Sequence, residues 1–242
     1  MRHCIAVGLL LSGLAAALPA GAQTLSFAGF TWQVRSGGGG PGPNSWSASN
    51  AWVDASGALH LRVSKQNGVW KCAEVYLDTP LGFGTYEWDV TGPIDTIDPN
   101  IVLGLFDYPT ADVGPDGTNE IDIEFSQWGS AANKHGNFTV WPPALGPVDA
   151  HRSFAFTLPA NKKSTQRFIW NAGSIDFRSL RGFTTGNSPT LYHWLYSPTS
   201  PTQHIPQSPT PVHMNLWLFD GHAPANGQSV TITINDFRFI PG

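Results

Sequence analysis

The sequence predicts an all-β fold, a sandwich or barrel, and three observations carry that reading. Short runs alternating apolar with polar residues recur along the chain. Clusters of Gly, Pro and Asn separate them, the punctuation of hairpins and turns. No long stretch repeats its apolar residues at helical spacing.

Taken in order, Leu59 to Val63 alternates after a Ser56-Gly57 turn, and Tyr86 to Val90 alternates after Gly82 and Gly84. Ile101 to Phe106 is a continuous apolar run, as in a strand covered on both faces. Phe154 to Leu158 alternates again. Arg167 to Trp170 and Ser174 to Phe177 flank Asn171-Ala172-Gly173, a hairpin signature. Met214 to Phe219, Val230 to Ile234 and Phe237 to Ile240 complete the strand set. Four segments read as loops: Ser36 to Ser45 with its glycine run, Pro93 to Asn100, Pro109 to Thr118, and Ser188 to Pro211 with six prolines, which block ladder hydrogen bonds.

At the N-terminus, Met1-Arg2-His3 precedes an apolar run from Ile5 to Leu18 that ends in Pro19-Ala20-Gly21-Ala22. A charged start, a short apolar core and an A-x-A site describe a secretory leader. The run falls short of the roughly 20 residues of a membrane span. The expectation is cleavage after Ala22, leaving residues 23–242 as a single exported domain, secreted or periplasmic. Cys4 would leave with the leader, so Cys72 stands alone and neither a disulfide nor a cysteine-based metal site is expected.

Charged residues make up 12% of the 242, about half the usual share, so neutral polar groups must cover the surface. The net charge of −4 argues against a nucleic-acid partner. Ten tryptophans suit a core, and also suit stacking on the apolar faces of sugar rings.

Against this neutral background, Glu120-Ile121-Asp122-Ile123-Glu124-Phe125 stands out. As a strand it puts three acids on one face and three apolar side chains on the other. Same-face neighbours lie about 6.6 Å apart, where two full charges repel by roughly 2.5 kcal/mol at an effective dielectric of 20. A face chosen for stability alone would intersperse a Lys or Thr. A solvated face is the competing explanation, and the pattern by itself leaves both open.

Other segments bear on the choice. Trp70 to Tyr76, then Gly82-Phe83-Gly84-Thr85-Tyr86-Glu87, the Arg167 to Phe177 hairpin, Val212-His213-Met214-Asn215-Leu216-Trp217 and the closing Val230 to Phe239 all fall in one order around the E-x-D-x-E strand. In that order they resemble glycoside hydrolase family 16, the lichenases and laminarinases, over roughly residues 30–240. The resemblance implies a jelly-roll sandwich of two antiparallel sheets with a concave substrate cleft. It implies cleavage of a β-linked polysaccharide with retention, by an endo-acting enzyme that needs no cofactor for catalysis. Glu120 is then the nucleophile, Glu124 the general acid/base, and Asp122 the residue that hydrogen-bonds Glu120. Glu74, Asn215 and Trp217 correspond to substrate-binding positions, with Trp141 and Trp128 as further aromatic candidates. His135 is expected to cap a turn. A structural calcium near Gly57 and Asp236 is a further implication.

Two departures bear on specificity. Thr118 stands where lichenases often carry Trp, and Val75-Tyr76 follows Glu74 where their pattern has Tyr and, two positions after the Glu, Arg. The alternatives to hydrolysis are transglycosylation on the same fold and a non-catalytic glycan-binding module. A monomer without membrane contact is expected.

Overall fold

The computed structural model of the protein describes residues 23–146 and 149–242. The leader and Cys4 lie outside the described residues. Among those described, no helix is long and apolar enough to cross a membrane.

Two eight-stranded antiparallel sheets face each other. The sheet that carries the cleft runs, in spatial order, Thr24–Phe27, Phe30–Val34, Ala73–Tyr76, Val212–Leu218, Ile101–Asp107, Glu120–Phe125, Gly136–Trp141 and Ala150–Phe154. The outer sheet runs Thr190–Tyr196, Ser174–Arg181, Lys163–Asn171, Gly84–Thr91, Val230–Pro241, Leu59–Gln66 and Ala51–Val53, with Val69–Lys71 also paired to Leu59–Gln66. This is the jelly-roll sandwich that the resemblance implies.

The period-two pattern explains how the layers meet. Ile121, Ile123 and Phe125 turn inward and are fully buried, as are Leu103, Leu105, Met214 and Leu216 on neighbouring strands. Each such side chain contributes about 1.5–3 kcal/mol of burial. Tyr86, Trp88, Phe168, Trp170 and Phe177 meet them from the outer sheet. Phe138 stacks on Phe177 across the interface, ring centres 4.8 Å apart. Trp32, Trp46, Trp88 and Trp170 are buried in this core, so much of the tryptophan content is structural. Cys72 is a buried free thiol whose Sγ meets Asn44 Oδ1 at 3.3 Å.

Three expectations from the sequence need correction. Phe154 ends its strand rather than beginning one. The alternation persists in Phe156 and Leu158, but Leu158 N–H donates to the Asp95 carboxylate, so the segment leaves the sheet. The glycine-rich segment forms a two-stranded ribbon, Gly37–Gly39 with Asn44–Trp46. Gly37 and Gly39 have φ of 100° and 128°, which side chains disfavour, so the ribbon carries no alternating pattern to read. Within Ser188 to Pro211, Thr190–Tyr196 is an edge strand and Pro201–His204 a single helical turn. The prolines sit outside that strand, where no ladder bond is lost.

Candidate active site

Register across the cleft sheet assembles the site. Glu74 faces Asn215, Asn215 faces Gly104, Gly104 faces Glu124, and Glu124 faces Asn137. One step along the strands, Tyr76, His213, Phe106, Asp122 and Thr139 form a second row. Glu120 pairs with Trp141 at the end of the acidic strand. Cross-strand partners share a face, so these rows lie on one side of the sheet, and a cleft opens over the part from Glu74 and Tyr76 to the three acids. Its volume is about 600 Å³, and Glu120, Asp122, Glu124, Glu74, Asn215 and Trp217 all line it.

Gly104 shapes the floor. A Cβ there would lie 2.5 Å from Asn215 Oδ1 and 3.2 Å from the Phe106 ring. Asn215 is 3% exposed, and its Oδ1 has no protein hydrogen-bond partner.

The three acids hold protons tightly. Burial pushes the Glu120 carboxyl up to about 8, with repulsion from Glu124 and Asp107 adding to it, while a hydrogen bond with Asp122 acts in the opposite direction. Asp122 is raised well above the carboxylate range by burial and by the charge and hydrogen bond of Glu120. Glu124 is raised likewise, by burial and then by Asp122. The titration belongs to the cluster. The contact between Glu120 and Asp122 favours the charged form of Glu120 and the protonated form of Asp122.

The tryptophan candidates divide. Trp217 lines the cleft. Trp141 lies outside that lining and donates its Nε1–H to Asp122 Oδ2 at 2.8 Å. Trp128 lies beyond the acidic strand, which ends at Phe125. Its backbone is left-handed, at φ 50°, and its ring packs against Trp217 and Phe219 at 6.4 and 5.7 Å between centres. It props the cleft wall instead of following the acids.

Glu74 is not an exposed strand carboxylate. It accepts from Arg35 Nη1 at 2.6 Å and pairs with His213 Nδ1 at 2.9 Å. Burial pushes its carboxyl up, but the His213 and Arg35 contacts outweigh that and hold it below the usual range. His213 is stacked on Tyr76, 5.2 Å between centres, and lies against Phe106. Tyr108 and Asp116, hydrogen-bonded at 2.7 Å, close the cleft beside Glu120.

Arg35, Phe106, Tyr108, Asp116 and His213 were not singled out from the sequence. His213 was readable, because it shares parity with Asn215 and Trp217. Arg35 was not, since it reaches Glu74 across 39 residues with no local pattern. His135 does not cap a local turn: its Nε2 lies 3.1 Å from the carbonyl of Phe156, 21 residues on, and its ring packs on the Phe156 ring.

The calcium expectation meets an obstacle. Asp236 Oδ1 accepts its neighbour Phe237 N–H, and Oδ2 is taken by Arg238, which also binds Glu87 and Asp89. Both oxygens are engaged and a guanidinium lies alongside, so Asp236 does not fit a cation ligand in this arrangement. Gly57 occupies a turn whose polar contacts converge on Asp54. Among the described residues no cluster of three His, Cys, Asp or Glu side chains could hold a metal.

No protein-family model and no curated protein matches the chain. Solved structures do. The Bacillus licheniformis beta-glucanase is 23% identical with a TM-score of 0.64, covering 93% of this chain and 100% of that one. A prokaryotic beta-1,3-1,4-glucanase (lichenase) from a mouse hindgut metagenome is 20% identical with a TM-score of 0.63, covering 87% and 93%. Rv0315 of Mycobacterium tuberculosis, described as an immunostimulatory antigen and pseudo beta-1,3-glucanase, is 18% identical with a TM-score of 0.65, covering 87% and 91%. At these identities the likeness establishes the architecture: the chain has the β-sandwich fold of these glucanase structures.

Proposed function

We propose that the protein is a family 16 glycoside hydrolase, exported by its leader, that cuts neutral β-linked polysaccharide internally and with retention. The observation that carries this reading is the placement of Glu120, Asp122 and Glu124 on one face of a cleft, where burial and mutual repulsion raise their pKa values and make them share protons. Glycoside cleavage needs one ionised and one protonated carboxyl at the same bond. Glu124 donates its proton to the glycosidic oxygen as that bond breaks, and ionised Glu120 forms an ester with the anomeric carbon. Glu124 then takes a proton from water, whose oxygen displaces Glu120 and restores both groups. Asp122, held by Trp141, donates to Glu120 and steadies its charge.

Cleft composition supports a neutral substrate. Among the described residues Arg35 is the one arginine that lines the cleft, and Glu74 neutralises it, so the cleft offers no free cation to a uronate or sulfated chain. Phe106, Tyr108, Tyr76 and Trp217 offer apolar faces to sugar rings. Asn215 lines the cleft, where its side-chain amide suits a sugar hydroxyl. The floor continues past the acids, since Asn137 and Thr139 face Ser153 and His151 on the next strand. A sheet face that extends on both sides of the acids favours internal cleavage. A β-1,3- or β-1,3-1,4-glucan is the leading substrate, with Tyr76 and Thr118 the positions where specificity departs from lichenases.

The test is hydrolysis of laminarin, barley β-glucan, xyloglucan, agarose and carrageenan by wild type, Glu120→Gln and Glu124→Gln. Loss of about 100- to 10,000-fold in both variants with glycan binding retained is expected. Unchanged turnover in both would overturn the catalytic assignment. Binding without turnover in the wild type would instead establish a glycan-binding module, and transfer products with added acceptor a transglycosylase.

A further inference from the structure

Asp107 is a buried carboxyl that the reaction above does not use. It ends the Ile101–Asp107 strand, has no exposed surface, and shares parity with the core residues Leu103 and Leu105. Its Oδ1 accepts Ile121 N–H at 2.6 Å, and its Oδ2 accepts the Thr210 hydroxyl at 2.7 Å. Ile121 lies between Glu120 and Asp122, so Asp107 grips the acidic strand from below at the residue that separates those two acids.

An asparagine could accept from Ile121 N–H and donate to the Thr210 oxygen without burying a charge. Burying a carboxyl without a cation is costly, and no basic side chain pairs with Asp107 among the described residues. Groups facing it from the packed elements are Glu120 and Asp122 on the adjacent strand, the Thr210 hydroxyl, and the Tyr86 phenol from the outer sheet. All are neutral or acidic.

We propose that Asp107 is a positioning residue of the acidic cluster: from beneath the Glu120–Phe125 strand it fixes Ile121 and sets how firmly the Glu120–Asp122 pair keeps its protons. This rests on the carboxylate mechanism proposed above. Burial pushes the Asp107 carboxyl up to about 7, and its charge adds to the repulsion that raises both Glu120 and Asp122. Its charge therefore develops as pH rises through neutrality, and it opposes ionisation above the sheet. Linkage is reciprocal, so ionised Glu120 must hold the Asp107 proton equally.

Two measurements test this. Asp107→Asn keeps an acceptor for Ile121 N–H, can donate its amide N–H to the Thr210 hydroxyl in place of accepting from it, and lacks the charge. Its kcat/KM profile should lose about half to one pH unit from any limb above pH 7, while limbs below pH 6 and KM stay in place. A destabilised variant with an unmoved profile would make Asp107 structural only and overturn the proposal. The second measurement needs no Asp107 variant. In protein labelled with 13C at aspartate carboxyls, Glu120→Gln should lower the Asp107 titration midpoint by a similar amount. An unmoved midpoint would also overturn the proposal. Full activity of Glu120→Gln would sink the catalytic mechanism itself, an outcome separate from either reading of Asp107.

Discussion

Neutralising Glu120 should make stability less sensitive to pH, and the size of the effect follows from its surroundings. Its carboxyl rises from the ordinary 4.5 to about 8 in the folded protein, chiefly through burial. Below pH 4.5 the group is protonated in both states and costs nothing. Between about 4.5 and 8 the unfolded chain releases a proton that the folded protein retains, so stability falls as pH rises and levels off above 8. At about 1.4 kcal/mol per unit the ceiling is about 5 kcal/mol. Glu120 keeps part of its surface open to the cleft and shares its protons with two neighbours, so a working value is about 2–3 kcal/mol. For a domain of this size that is a shift of about 4–12 °C in Tm. Urea and thermal unfolding of wild type and Glu120→Gln at pH 5 and pH 9 measure it directly. Wild type should lose that much more stability than the variant between the two conditions. Parallel stability curves would refute the claim that the fold holds this acid under strain.

Two further substitutions probe the supports of the cluster. Trp141→Phe removes the N–H that favours the charged form of Asp122, so the Asp122 proton should be held more firmly and the alkaline limb of kcat/KM should move up, with about 1 kcal/mol of stability lost. An unmoved limb in the pH–rate profile would count against Trp141 as a cluster donor. Gly104→Ala places a methyl against Asn215 Oδ1 and the Phe106 ring, so KM should rise by about tenfold with the pH profile unchanged, and glycan titration with wild-type affinity would show that the floor there is not a sugar site.

What could be read in the chain follows from how local each signal is. The acidic strand was legible because period two assigns its faces outright: Ile121 and Phe125 went inward and Glu120 and Glu124 to the cleft. The same parity exposed Asn215 and Trp217. Where side chains carry no pattern, reading failed, as in the Gly37–Gly39 ribbon. It failed too where flanking residues dominated, as in Thr190–Tyr196 between prolines. Parity says nothing about Trp128, because it holds only while a strand continues and the chain turns after Phe125. Partnerships between distant segments, such as Arg35 with Glu74 and Asp107 with Thr210, have no signature within one stretch of sequence. They depend on the order of strands in the sheet, which the topology alone supplies.

The central claim is that Glu120 and Glu124 divide nucleophilic and acid–base roles across one glycosidic bond. Proton NMR of the first product released from the best β-glucan, followed before mutarotation, tests it most directly. The new reducing end should appear first as the β-anomer, because two displacements restore the original configuration. First appearance of the α-anomer would mean a single displacement by water and would contradict Glu120 as the nucleophile.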